Sequence, residues 1–340
     1  MGKDEAATRV IAGKYHLIEQ VGSGGMAVVW RAEMRGAAGF TRAVAVKELK
    51  AELRAGQNYV DMFIEEARVG AELQHPNIVQ VFDFCEDDGR YCLVMEWMDG
   101  LDLRGFVGAH ALDGRAVPWP LVVAIGIGAL RGLGAAHERV AKGVMAPIIH
   151  RDVSPANILI GRDGAVKLAD FGLARARDRM RSLTLPGIVK GKLGYLAPEI
   201  THGSPATAAT DLFAMGCVLW QALAGKPLFV APDPVELFRQ IRAGDYPSIA
   251  NLRPDVPPRL AEIVHQALAV EPGRRFPTAK SMTQALAGIL AAQPRPIDSH
   301  AALAEAVRAA QKRLSARPMP EETASEVVEL HSTDMEPPAQ

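Results

Sequence analysis

His150-Arg151-Asp152-Val153-Ser154-Pro155-Ala156-Asn157 stands thirteen residues ahead of Asp170-Phe171-Gly172. The stretch puts two carboxylates and a carboxamide within nineteen residues, with two strand-like segments between them. Asp152 can take a proton from a hydroxyl. Asn157 and Asp170 offer hard oxygen ligands of the kind Mg²⁺ prefers. Phosphoryl transfer needs those parts: a group that orients the nucleophile, and metal that neutralises phosphate charge.

Upstream, Gly22-Ser23-Gly24-Gly25-Met26-Ala27-Val28-Val29 lies between two strand-like runs. Glycines there let a backbone turn tightly and approach phosphates closely. Ala43-Val44-Ala45-Val46-Lys47 follows and puts a lysine in an apolar strand. A buried ammonium needs a partner. Phe63-Ile64-Glu65-Glu66-Ala67, on a predicted helix over Val60–Leu73, supplies one. Glu66 is preferred, because Glu65 points about 100° around the helix toward solvent.

The bulk numbers are compatible with a soluble globular protein. The chain has 340 residues, 49% hydrophobic and 23% charged, enough for a sizeable core. A net charge of −1 argues against a nucleic-acid or membrane-surface protein. Cys85, Cys92 and Cys217 form no CxxC pattern and read as buried thiols in a reducing cytosol. Met1–Glu5 has no apolar run and reads as no signal peptide. Position 6 is alanine, so the myristoylation pattern fails. Leu121–His137 is apolar with one charge, Arg131, and four glycines. It is near the lower length of a membrane span and is read as a buried helix.

Residues 1–12 read as a flexible tail. Strand-like runs follow at Tyr15–Val21, Val28–Glu33, Ala43–Leu49, Val79–Phe84 and Tyr91–Met95. With the helix they make a small β-rich lobe over 13–98. Residues 99–292 are mainly helical, Glu96–Gly100 forms the hinge, and Pro294 and Pro296 close the second lobe. A short amphipathic helix is expected around Ser299–Leu314. Residues 317–340, with six acidic residues and one arginine, read as disordered.

In order and wording these motifs resemble the eukaryotic-type (Hanks) protein kinase family, in its bacterial branch. The resemblance spans roughly residues 13–290. It implies an α+β, bilobal protein kinase fold. It also implies ATP and Mg²⁺, with Mn²⁺ possible, as cofactors. Asp152 would be the catalytic base, Lys47 the phosphate-neutralising cation paired with Glu66, and Asn157 and Asp170 the metal ligands. Met95 would be the gatekeeper, and the backbone of Glu96 and Met98 would bond the adenine edge. Asp102 would reach the ribose, or else cap the helix that starts at Leu103. Val21, Gly22, Ser23, Gly24, Gly25, Met26, Ala27, Val29, Ala45 and Leu159 complete the nucleotide contacts. Glu199, in Ala197-Pro198-Glu199, would pair with Arg275, and Asp211 would anchor the catalytic loop.

Two positions depart from the family pattern. Ser154 stands where a lysine is usual, and Lys192 where a threonine is usual. In the family these side chains meet beside the catalytic aspartate, so the pair reads as exchanged, and Lys192 joins the catalytic set. Pro155 and the Ala-Pro-Glu element favour serine or threonine on a protein substrate over tyrosine. A nucleotide-binding pseudokinase serving as an interaction module is the alternative. Control is expected from autophosphorylation, through a transient homodimer. Thr184 is preferred over Ser182, among Arg175, Arg177, Arg179, Arg181 and Lys190, with Arg151 as the phosphate's receiver. The protein is expected in the cytoplasm, without nucleic-acid partners or membrane insertion.

Overall fold

The computed structural model describes residues 9–171, 193–293 and 298–316. The residues around Thr184, Lys192, the Pro294 and Pro296 pair, and the 317–340 tail lie outside these. The small lobe is a six-stranded antiparallel sheet in the order β1-β2-β3-β4-β6-β5. Its strands are β1 (Val10–Ile11), β2 (Tyr15–Ser23), β3 (Ala27–Arg35), β4 (Thr41–Leu49), β5 (Val81–Asp87) and β6 (Arg90–Glu96). Alternation sorts the side chains of β4. Val44 and Val46 pack with Tyr15, Leu17, Ala32 and Val94 on one face. Ala45, Lys47 and Leu49 take the other parity, where helix α1 (Gln57–Glu72) covers the sheet.

Two boundaries differ from the sequence reading. Val10–Ile11 belongs to the sheet and not to a tail. It pairs with Tyr15–His16 across a turn in which Ala12 and Gly13 have φ of 48° and 67°, and Ile11 is buried. The strand expected at Val79–Phe84 begins later, because residues 77–79 turn to the second lobe. Val79 N–H donates to Leu168 O at 2.8 Å, and Leu168 N–H donates to Asn77 O at 2.9 Å.

β7 (Gly100–Asp102) leads into the large lobe and pairs with β10 (Ile158–Gly161), which pairs with β11 (Val166–Leu168). The helices described there are α2 (Leu103–Ala111), α3 (Trp119–His137), α4 (Pro198–Thr201), α5 (Ala208–Ala224), α6 (Pro234–Ala243), α7 (Ile249–Leu252), α8 (Pro258–Ala267), α9 (Ala279–Ala291) and α10 (Ser299–Ala316). A small hairpin, β8 (Val140–Ala141) and β9 (Val144–Met145), turns at Lys142-Gly143. The sequence reading did not resolve it.

α3 is long and apolar enough to cross a membrane by length and composition. Here it is largely buried against α5, α9 and β11. Its glycines let neighbours approach. A Cβ on Gly132 would lie 2.5 Å from Asn77 O, and one on Gly128 2.6 Å from Val166 Cβ. Gly132→Ala would press on the cross-lobe bond that Asn77 O accepts. We expect a loss of about 1–2 kcal/mol in thermal or urea unfolding, overpacking outweighing alanine's better helix propensity. A Cβ on Gly134 would meet Ala279 at an ordinary 3.7 Å, so Gly134→Ala should be neutral or stabilising. Equal effects at the two positions would contradict this packing account.

Candidate active site

Period-two alternation on β4 brings Lys47 to the face beneath α1, opposite Val29 on β3 and Leu93 on β6. Lys47 Nζ lies 2.5 Å from Glu66 Oε1 and 2.9 Å from Asp170 Oδ1. Burial opposes the lysine's charge, but Asp170 and Glu66 outweigh it and hold its pKa above the ordinary lysine value. Burial pushes the Glu66 carboxyl up in spite of Lys47, and the nearby Asp170 adds to the rise. Glu65 faces solvent and pairs with Arg68 at 3.6 Å, so the helix presents Glu66 to the lysine, as its spacing predicts.

The Asp152 loop is held by buried polar groups. Asp211, on α5, accepts from His150 N–H and Arg151 N–H, each at 2.8 Å. These bonds fix Arg151 in a left-handed conformation with φ 65°, a strained geometry for a residue with a Cβ. His137 Nε2, at the end of α3, is 2.8 Å from Asp211 Oδ2. His150 Nδ1 accepts from Asp152 N–H at 3.2 Å, which leaves Nε2–H to donate to Ala169 O at 3.1 Å. Burial lowers the His150 pKa against the pull of Asp211 and Asp152, consistent with that neutral tautomer. One imidazole thus ties the Asp152 loop to the residue preceding Asp170. Asn157 Nδ2 donates to Asp152 O at 2.8 Å and to Asp152 Oδ2 at 3.1 Å. Its carboxamide oxygen is therefore turned away from Asp152.

Ala45, Val79 and Met95 form an apolar cluster with Val29, Trp97, Met98, Leu159 and Ala169 between the lobes. Five of these are residues that the sequence reading assigned to a nucleotide. Glu96 N–H is taken by Gln80 O at 2.8 Å. Lys167, on β11, grips the Glu96 side chain at 2.9 Å. Asp102 caps α2, with Oδ1 accepting from Gly105 N–H at 2.6 Å. Gly22 and Ser23 pair with Val29 and Val28 at the end of β2, and Gly24 N–H bonds Ala27 O at 2.8 Å. Gly24, Gly25 and Met26 form the turn between β2 and β3. Ala27 points inward, packed with Leu49 and Phe63. Val21 is an exposed residue at a register shift, outside the apolar cluster.

Glu199 and Arg275 form a two-pronged pair at 2.8 and 2.7 Å. The Arg275 side chain is wholly buried, while Arg274 is exposed and pairs with Glu271. Ser154 is buried, and its hydroxyl has no hydrogen-bond partner among the described residues. Lys192 lies outside the described residues. Sequence reasoning missed His137, Lys167 and Ala169. Only Ala169, next to Asp170, carried a local signal.

Residues 15–286 match the family described as "Protein kinase domain". Among curated proteins, the chain is 36% identical over 275 residues to "Tyrosine-protein kinase MasK" of Myxococcus xanthus, covering 81% of this chain and 42% of that one. It is 37% identical to "Serine/threonine-protein kinase PknB" of Mycolicibacterium smegmatis, covering 80% and 42%. It is 32% identical to "Serine/threonine-protein kinase PrkC" of Bacillus subtilis, covering 80% and 40%. The chain thus spans about two fifths of the length of these relatives. Among solved structures, the Mycobacterium tuberculosis PknI kinase domain superposes with a TM-score of 0.62 at 27% identity, covering 83% of this chain and 98% of that one. Members of this family use ATP with divalent metal ions and act on proteins. With its residues 15–286 matched and its fold shared, the chain belongs to the protein kinase family, among its bacterial Hanks-type members.

Proposed function

We propose that this chain is a protein kinase that transfers the γ-phosphoryl group of Mg-ATP to serine or threonine hydroxyls. The observation that carries the proposal is the convergence of Lys47, Glu66 and Asp170 beside an Asp152–Asn157 pair. Mg-ATP fits the donor set. Asp170 supplies a carboxylate, and Asn157 a carboxamide oxygen oriented by its own amide bonds to Asp152. Asp170 and Asn157 would hold Mg²⁺, which would supply positive charge against the phosphates. Lys47, kept charged by its two carboxylates, would hold phosphate oxygens. Asp152 would orient the acceptor hydroxyl and take its proton. Ala45, Val29, Met95 and Leu159 would flank the adenine, with the Glu96 carbonyl and Met98 N–H at its edge. The Gly22–Ala27 segment would cover the phosphates, and Asp102 would offer its second oxygen to the ribose.

Pro155 and Ala197-Pro198-Glu199 support serine or threonine as acceptor, in keeping with the printed names of the PknB and PrkC relatives. A tyrosine acceptor is the second reading. It is favoured by the name of the MasK relative and by the sequence departure at position 192, where lysine replaces a threonine that in the family lies near the acceptor. Acid hydrolysis of the labelled product decides between them. Phosphoserine and phosphothreonine are expected, and phosphotyrosine alone would overturn the assignment.

Regulation by phosphate on Thr184 in a transient homodimer, and a cytoplasmic location, belong to the same proposal. Arg151 supports the first, because its Nε is buried without a hydrogen-bond partner among the described residues. Such a group suits a phosphate oxygen.

A further inference from the structure

The family match ends at residue 286, yet α10 follows it and is built into the large lobe. Leu303, Ala304, Val307 and Ala310 are all buried and recur at helical spacing. That face lies against α2, α3, β7 and β10. Two polar contacts of α10 fall on the backbone that frames the cleft. Gln311 Nε2 donates to Gly100 O at 3.2 Å, at the hinge end of β7. Arg308 donates to Arg162 O at 3.0 Å, in the turn between β10 and β11. Arg313 pairs with Asp113, just beyond α2, at 2.9 Å. The first turn of α10 approaches the β10–β11 turn so closely that a Cβ on Gly164 would lie 2.1 Å from His300 O.

These contacts converge on one frame. β7 runs from the hinge to Asp102, and its partner β10 carries Leu159 opposite Asp102. β10 also begins directly after Asn157, and β11 leads to Asp170. Lys167 and Gln80 hold the other end of the hinge at Glu96. The hinge is thus gripped at Glu96 from within the family core and at Gly100 from α10.

Resting on the kinase reading above, we infer that α10 is a strut for the nucleotide site, and that Gln311 is a positioning residue for ATP binding. Gln311 touches no proposed catalytic group. It fixes the carbonyl from which the adenine-edge backbone and the ribose-side strand diverge.

The test uses the full chain with Gln311→Met, which keeps the length and loses the donor, and Gln311→Lys, which restores a donor. The readouts are direct Mg-ATP binding by calorimetry, KM for ATP against kcat, and thermal unfolding. Loss of one hydrogen bond should weaken ATP binding and raise its KM about threefold to tenfold. For Gln311→Met, kcat and the melting temperature should stay near wild type, and Gln311→Lys should return toward wild-type affinity. If Gln311→Met binds ATP as wild type does, or if only its melting temperature falls, the strut has no role in nucleotide binding. A wild-type chain that binds no Mg-ATP would instead overturn the kinase reading, and this inference with it.

Discussion

Asp152→Asn is expected to reduce phosphoryl transfer by about 10²–10⁴-fold, the range that a positioned acid–base group supplies. The side chain keeps its volume, and its partner Asn157 Nδ2 can still donate to an amide oxygen. Folding and ATP binding should therefore survive, and the loss should appear in kcat. Asp170→Asn should differ in kind. Asp170 bonds Lys47 and is one of two proposed metal ligands, so its loss should depress activity and Mg-dependent nucleotide binding together. Steady-state kinetics with calorimetry separates the two variants. If Asp152→Asn retained more than about a tenth of wild-type kcat, Asp152 would not be the catalytic group.

Arg275→Met should be the most damaging of these substitutions to stability. The wholly buried guanidinium also bonds the carbonyls of Ala209, Ala269 and Val270 and lies 4.9 Å over the Phe213 ring. Removing one partner of a buried pair leaves the other uncompensated, at about 3–5 kcal/mol. Glu199 retains some solvent access, so the lower end, about 3 kcal/mol, is expected. The pH dependence has a definite sign. Burial raises the Glu199 pKa, but the bond to Arg275 outweighs it and holds the carboxyl below its usual range. The pair therefore contributes fully above the ordinary glutamate pKa and is lost as pH falls through the folded value. Urea unfolding of wild type and variant should show the widest gap near neutrality, narrowing in acid. A gap that widened in acid would contradict the assignment.

The parts of the site readable in the sequence were those set by local spacing. Lys47 sits in an apolar period-two strand, Glu66 takes the inward helical position and Glu65 the outward one, and Asp152 and Asn157 share one short loop. Arg275 was separable from Arg274 by the family pattern alone. What was not readable depended on partners distant in sequence. β1 exists because Ile11 finds a buried place beside Tyr15. Residues 77–79 leave the sheet because β11, some ninety residues later, offers backbone partners. His137 gains its contact with Asp211 only when α3 packs on α5, and Lys167 its contact with Glu96 only after the lobes meet. α10 was expected as a helix, but its amphipathic pattern could not name the surface it would cover. Asp102 was left between two uses, and the cap of α2 is one it makes.

The most direct measurement of the central claim is transfer of labelled phosphate from ATP, in the presence of Mg²⁺, to a generic basic protein by the purified full chain, beside an Asp152→Asn control. The account predicts label on serine and threonine of the substrate, dependent on Mg²⁺ and nearly absent with the control. Wild-type incorporation no greater than the control, from a chain that still binds ATP, would contradict it and leave a nucleotide-binding module without transfer activity.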